Sequence, residues 1–213
     1  MKKETNIIEL KPIEVKYARI FIEGDGDLVL NKMNARTVRS LTAEREDKKT
    51  IREVPNVWED IATAINWRDD YPVEDTRLIS KEMFEQMLEK NAPCISAFGL
   101  KKSFGQAVVR NEIDNYSTKF DNAINVIAPK GLVPVKFASW SLDERLMSPK
   151  RGAPVLVRIS HFSGWSAEFD IKYTDHVYSI DQIVNIINLA GFGLGIGSGR
   201  TSGYGRYHVV NVQ

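Results

Sequence analysis

The chain has 213 residues, 43% of them hydrophobic and 27% charged, with a formal net charge of +1. A chain of that length buries a core without disulfides or metals, and its one cysteine, Cys94, excludes an intrachain disulfide and suits a reducing compartment. No apolar run approaches the roughly 20 residues that span a bilayer, and Met1-Lys-Lys-Glu-Thr-Asn lacks the apolar stretch of a signal peptide, so a cytoplasmic protein with no membrane partner is expected.

Ile13 to Ile22 alternates and is rich in β-branched and aromatic residues, which reads as a first strand ended by Gly24-Asp-Gly26. Leu28-Val-Leu30 continues that strand or pairs with it. Residues 31–56 are polar and charged and read as an exposed excursion from the core, a mobile loop. Pro55 opens a short helix with Asn56 as N-cap and Trp58, Ile61 and Ile65 on one face. After a turn at Asp69-Asp-Tyr-Pro, Ser80 caps a helix whose stripe is Met83, Phe84, Met87 and Leu88. The apolar stretch Ala92 to Val109 reads as a buried helix, broken or tightly packed at Gly99 and Gly105, with Lys101 and Lys102 between them. Ala123 to Ala128 and Leu132 to Ala138 read as short strands, and residues 141–153 as a polar segment ending in the basic turn Pro149-Lys-Arg-Gly. Pro154 to Phe162 and Trp165 to Tyr173 alternate cleanly around Ser163-Gly164, which predicts a hairpin with one polar face. Ser179 then caps an amphipathic helix, and a glycine loop leads to a last strand from Tyr204 to Val212.

The first strand, a helix within 80–110, the two strands of that hairpin, the last helix and the last strand give the order β-α-β-β-α-β. That is the ferredoxin-like (RRM-like) arrangement. The expectation is a single α+β domain over residues 1–213 with the charged excursion, about 31–56, inserted into it.

The segment Gly191 to Arg206 carries the most specific signal. A glycine-rich loop between a helix and a strand exposes backbone N–H groups and admits a phosphodiester backbone closely, because no Cβ atoms stand in the way. Arg200 and Arg206 suit bidentate phosphate binding, which adds a salt-sensitive, sequence-independent affinity. Tyr204 or Phe192 offers a stacking surface worth about 1–3 kcal/mol per base. Lys101 and Lys102 join that basic surface if their helix edges the sheet, and Pro149-Lys-Arg151 would extend it; the other reading of the lysines is a solvated helix end. From Asn122 onward there are nine Lys/Arg against six Asp/Glu, a mild basic bias. Two other readings stand beside this one. The glycines cap a helix and permit close packing, or the loop holds a nucleotide or another phosphate ligand. A dinucleotide fingerprint is excluded, because the loop follows a helix and precedes a strand.

Gly195-Ile-Gly197-Ser-Gly199-Arg200-Thr-Ser-Gly203-Tyr204-Gly205-Arg206-Tyr-His-Val-Val resembles the signature loop of the repeat-associated mysterious protein (RAMP) superfamily. These are ferredoxin-like RNA-binding subunits of CRISPR effector complexes and related guide-processing ribonucleases. The match covers about twelve positions at the end of the chain. The resemblance implies binding of RNA or single-stranded DNA through that loop, no cofactor, and self-association along a strand, with residues 31–56 reaching a neighbouring subunit. An alternative is a protein-interaction module that copies an effector subunit and binds a host defence complex. The whole chain is also similar to a group of phage and prophage proteins of low-GC Gram-positive bacteria, through Trp58-Glu-Asp, Asn91 to Lys102, Gly131-Leu-Val-Pro and Arg200 to Arg206. That likeness implies a phage origin and action in the host cytoplasm.

Other chemistry is sparse. The histidines are His161, His176 and His208, of which His161 and His208 lie in expected strands and project from one sheet. A metal-independent endoribonuclease would use one of them as general acid or base, whereas a histidine on a polar strand face needs no such role. One cysteine and no Cys/His cluster speak against structural zinc, and no metal is expected. Asp25 and Asp27 flank Gly26, as a metal-using phosphodiesterase carboxylate would or as turn residues that bond the backbone; Asp69-Asp70 has the same two readings. Cys94 reads as a core residue.

Overall fold

The computed structural model describes residues 12–45, 54–147 and 154–213. The elements run β1 (Lys16–Gly24), β2 (Leu28–Leu30), α1 (Ala35–Arg45), α2 (Val57–Thr63), β3 (Asn66–Trp67), α3 (Lys81–Lys90), β4 (Pro93–Ser96), α4 (Ala97–Arg110), α5 (Thr118–Ala123), β5 (Ile124–Ile127), β6 (Leu132–Lys136), β7 (Ser139–Met147), β8 (Val155–Ser163), β9 (Ser166–Tyr173), α6 (Ile180–Gly193) and β10 (Tyr207–Val212). The expected N-caps Asn56, Ser80 and Ser179 all accept bonds from their first turns, and Ser179 forms a capping box with Gln182.

The fold is α+β with a ferredoxin-like core. β1 sends Ala18, Ile20 and Ile22 inward, and it lies antiparallel between β10 and β9. The far edge of β9 is shared: β5 pairs with its C-terminal half (Ile124↔Tyr173) and β6 with its start (Val135↔Ala167). With β5 and β6 as one position, the order β10-β1-β9-β5/β6 is the split βαβ pattern, and α4 and α6 are its crossover helices. Phe104 of α4 stacks on Phe169 of β9 at 6.2 Å, tying helix layer to sheet. β4 and β3 extend the sheet beyond β6.

The expected hairpin of residues 154–173 does not form. β8 belongs to a second sheet, β2-β8-β7, while β9 is central in the first. Between them Trp165 is buried, its indole N–H donates to Gly26 O at 2.8 Å, and its ring meets Tyr207 edge-on. That anchor carries the chain from one sheet to the other. The second core strand is therefore β5 with β6, and not β8. β2 neither continues β1 nor pairs with it; it pairs with β8. The polar segment from 141 is β7 up to Met147, paired with β8 from Ser139↔Ser163 to Met147↔Val155; its outward alternation makes it read as a loop. Residues 148–153, with Pro149-Lys-Arg151, lie outside the described residues.

Two further expectations change. The stretch from Ala92 is a short strand, β4, then the helix α4, which Ser96 caps and which runs unbroken through Gly99 and Gly105. A continuous apolar run hides that boundary, because a fully buried strand shows no alternation. Residues 35–45 of the excursion are the helix α1, which has no buried residue. It is clamped to α2: Arg36 donates to Asp60 (2.9 and 2.6 Å), and Arg39 donates to Glu59 (2.8 and 3.1 Å). Both carboxylates are buried. Residues 46–53 lie outside the described residues.

Candidate functional site

The glycine loop is built as two limbs and an arc. At the end of α6, the N–H groups of Leu194 and Gly195 both reach Ala190 O (2.9 and 2.8 Å). Ile196 N donates to Gly205 O (2.9 Å), and Gly205 N donates to Asp27 O (2.8 Å). Ser198 N donates to Val29 O (2.8 Å), so the loop ties the ferredoxin-like core to β2 of the second sheet. Gly205 has φ +69° and Gly197 φ +77°. A Cβ on Gly205 would overlap the Ile196 carbonyl, and one on Gly197 the Val29 carbonyl. Gly195 and Gly205 are buried and hold the limbs together, whereas Gly197, Gly199, Arg200 and Gly203 are exposed along the arc. The N–H groups of Gly197, Gly199 and Arg200 have no hydrogen-bond partner among the described residues.

Beside the arc lies a cleft of about 320 Å³. Ile196, Gly197, Ser198 and Arg200 form its loop wall, and Leu30, Asn31 and Lys32 its β2 wall. The start of α4 closes it with Ser96, Gly99, Lys102, Ser103 and Gln106; Cys94, Ile95, Ala64 and Asn66 complete the lining. Three cations from three separate elements, Lys32, Lys102 and Arg200, meet there, and no carboxylate lines it among the described residues. Lys32 donates to Asn66 Oδ1 at 2.8 Å, and burial pushes its ammonium pKa down. The N-terminus of α4, a 14-residue helix, adds partial positive charge on the same side.

The other expected residues separate. Lys102 lines the cleft, but Lys101 donates to Asn125 Oδ1 at 2.8 Å. Arg206 is half-buried and donates to Arg200 O at 3.4 Å, which braces the arc. Tyr204 meets His161 edge-on at 5.0 Å and accepts a bond from Arg145 (3.0 Å), so its ring is engaged within the protein; Phe192 is 82% exposed.

His161 (β8) and His208 (β10) lie in different sheets and do not project from one. His161 is 6% exposed; its Nδ1 is 3.3 Å from Asp27 Oδ2, and its Nε2 is buried without a hydrogen-bond partner. Ser163 donates to the other Asp27 oxygen at 2.6 Å. His208 is exposed, with Nδ1 2.6 Å from Asp25 Oδ1. Asp69 pairs with Arg68 and Asp70 with Lys130. Cys94 is buried, and burial pushes its thiol up to about 11. Among the described residues no cluster of three or more His, Cys, Asp or Glu is placed to hold a metal, and no helix is long and apolar enough to cross a membrane.

The outer face of the core sheet is the surface on which single strands lie in other folds of this topology. There Arg19 pairs with Asp170 and Lys136 with Glu168, while Lys172 of β9 is exposed on the same face. The cationic cleft lies elsewhere, against the loop and α4. Sequence reasoning misses Lys32 and Phe98. Nothing local marks Lys32, because its partners come from residues far along the chain. Phe98 is 74% exposed, and helical spacing does mark it: Ala97, Leu100, Phe104, Ala107 and Val108 set the buried face and leave Phe98 off it.

No protein-family model matches the chain, and no curated protein matches it. Among solved structures it is similar to a chain of the cryo-EM structure of the type III-B Cmr-beta bound to cognate target RNA, at 12% identity and a TM-score of 0.49, over 93% of this chain and 60% of that one. It is also similar to Cmr6 from Pyrococcus furiosus, at 10% identity and a TM-score of 0.39, over 93% of this chain and 100% of that one. The chain thus spans 60% of the length of the first of these.

Proposed function

We propose that this protein binds RNA or single-stranded DNA without cleaving it, seating phosphates in the cleft between the glycine arc and the start of α4. The observation that carries this reading is the charge of the cleft: Lys32, Lys102 and Arg200 converge there with no lining carboxylate among the described residues. A surface of one sign of charge attracts an arriving phosphate. The exposed glycines at 197 and 199 and the N–H groups of the arc suit close approach of a sugar–phosphate backbone. Gly195, Gly205, Tyr204 and Arg206 act by holding the arc, and Lys101 acts on a neighbouring surface. The resemblance of the loop to that of the RAMP superfamily points the same way, as does the ferredoxin-like core. The two sheets share one hydrophobic cluster, which supports reading residues 1–213 as one domain. The whole-chain likeness to phage and prophage proteins supports a role inside an infected cell.

Fluorescence anisotropy with labelled single-stranded RNA and DNA at two salt concentrations tests the proposal. Binding that weakens as salt rises is expected. No binding of either strand, together with co-purification of a host protein complex, would replace it with the protein-interaction reading.

A cleaving activity has one specific observation in its favour, the exposed His208–Asp25 pair, since an oriented imidazole with a free second nitrogen is a general base. The Nε2 of His161 is buried and does not face solvent. His208→Ala should leave a labelled RNA equally intact; loss of cleavage on that substitution would favour the nuclease.

A further inference from the structure

On the other side of Lys102 and Gln106 lies a second concavity of about 660 Å³, between α4 and α5. Both residues line it as well as the cleft, so one ridge of α4 separates the two. Its volume is ligand-sized. Phe98 forms one end and is 74% exposed on the first turn of α4. Lys101 and Arg110 supply positive charge along the same helix. Asp121 is the one lining carboxylate among the described residues, and Ser117 donates to its Oδ2 at 2.7 Å, leaving acceptor capacity on Oδ1.

An aromatic face, cations along the rim and a recessed acceptor are the three elements that bind an unpaired nucleotide: the ring stacks a base, the cations neutralise phosphates, and the carboxylate accepts from an exocyclic amine. We infer that the α4–α5 groove is a second nucleotide subsite, into which a single strand seated in the cleft continues across Lys102. This inference rests on the nucleic-acid reading above and adds single-strand selectivity to it. A duplex keeps its bases stacked inside and cannot offer one to Phe98. A peptide partner is the competing occupant, and the excess of cations over the bonded Asp121 favours the polyanion.

The test is anisotropy with a single-stranded RNA of about ten nucleotides and a duplex of the same length, using wild type, Phe98→Ala, Phe98→Tyr and Arg200→Ala. Phe98→Ala should bind the single strand about tenfold more weakly, Phe98→Tyr should retain the affinity, and the duplex should not distinguish them. Equal single-strand affinity of wild type and Phe98→Ala, or an equal loss on the duplex, would overturn the subsite. If Arg200→Ala still weakens binding in that case, the cleft stands and only the subsite falls; if wild type binds no strand, the nucleic-acid reading itself falls. Should Phe98→Ala prove misfolded by circular dichroism, Lys101→Gln with Arg110→Gln decides instead. That pair should flatten the salt slope by about 1.4, and an unchanged slope would refute the groove.

Discussion

Replacing Gly205 with alanine probes whether the arc is held as rigidly as its bonds imply. Gly205 has φ +69°, a conformation that costs a residue with a Cβ about 1–3 kcal/mol. The new methyl would overlap the Ile196 carbonyl, so the limbs must separate. Two backbone bonds then weaken, Ile196 N to Gly205 O and Gly205 N to Asp27 O, each contributing about 1 kcal/mol. The total is about 3–5 kcal/mol. For a domain of this size each kcal/mol lowers Tm by about 2–4 °C, so Gly205→Ala should melt about 10 °C below wild type. Gly203→Ala is the control. Its φ is +89°, but a Cβ there meets nothing within 4 Å, so it should cost about 1 kcal/mol and a few degrees. Thermal unfolding followed by circular dichroism reads both. Equal shifts for the two variants would refute the claim that close approach of the limbs fixes the loop.

Three further outcomes follow from the structure. With its thiol pushed up to about 11, Cys94 is about one part in a thousand thiolate at pH 8, so a disulfide reagent should label native protein at least a hundredfold more slowly than a free cysteine, and rapid labelling would contradict its burial. Because α1 has no buried residue, replacing Arg36 and Arg39 together by alanine should strip its amides of hydrogen-exchange protection while β1 and β9 keep theirs; retained protection would mean that other interactions hold it. Trp165→Phe removes the bond to Gly26 O and should lower stability by about 1 kcal/mol, visible as a lower urea midpoint; no shift would remove that bond from the account of how the two sheets are joined.

The ferredoxin-like arrangement is legible in the sequence because caps and periodicity are local. Asn56, Ser80 and Ser179 each announce a helix within four residues, and β1 and β9 alternate without interruption. Pairing is not local. Residues 155–163 alternate in the same way whether their neighbour is β9 or β7, so nothing in the alternation distinguishes a hairpin from a change of sheet; the buried Trp165 decides it. The excursion reads as a loop for a related reason. α1 is clamped by charge pairs to Asp60 and Glu59, and a polar helix held that way carries no apolar stripe to betray it. In the site, the glycine run marks the arc with Arg200, and Lys102 is marked only by its place beside the glycines of α4. Lys32 is not marked, because only the fold brings the exit of β2 beside α4. Tyr204 and Arg206 belong to the same run, and the fold sets Tyr204 edge-on to His161 and Arg206 against the Arg200 carbonyl.

The salt dependence of single-strand binding in a variant carrying Lys32→Gln, Lys102→Gln and Arg200→Gln tests the central claim most directly. Each phosphate of a single strand that the protein no longer neutralises removes about 0.7 from the slope of log K against log salt, so the triple variant should show a slope shallower by about 2 and a much weaker affinity at low salt. A slope and affinity equal to those of wild type would place the nucleic acid, if it binds at all, somewhere other than this cleft.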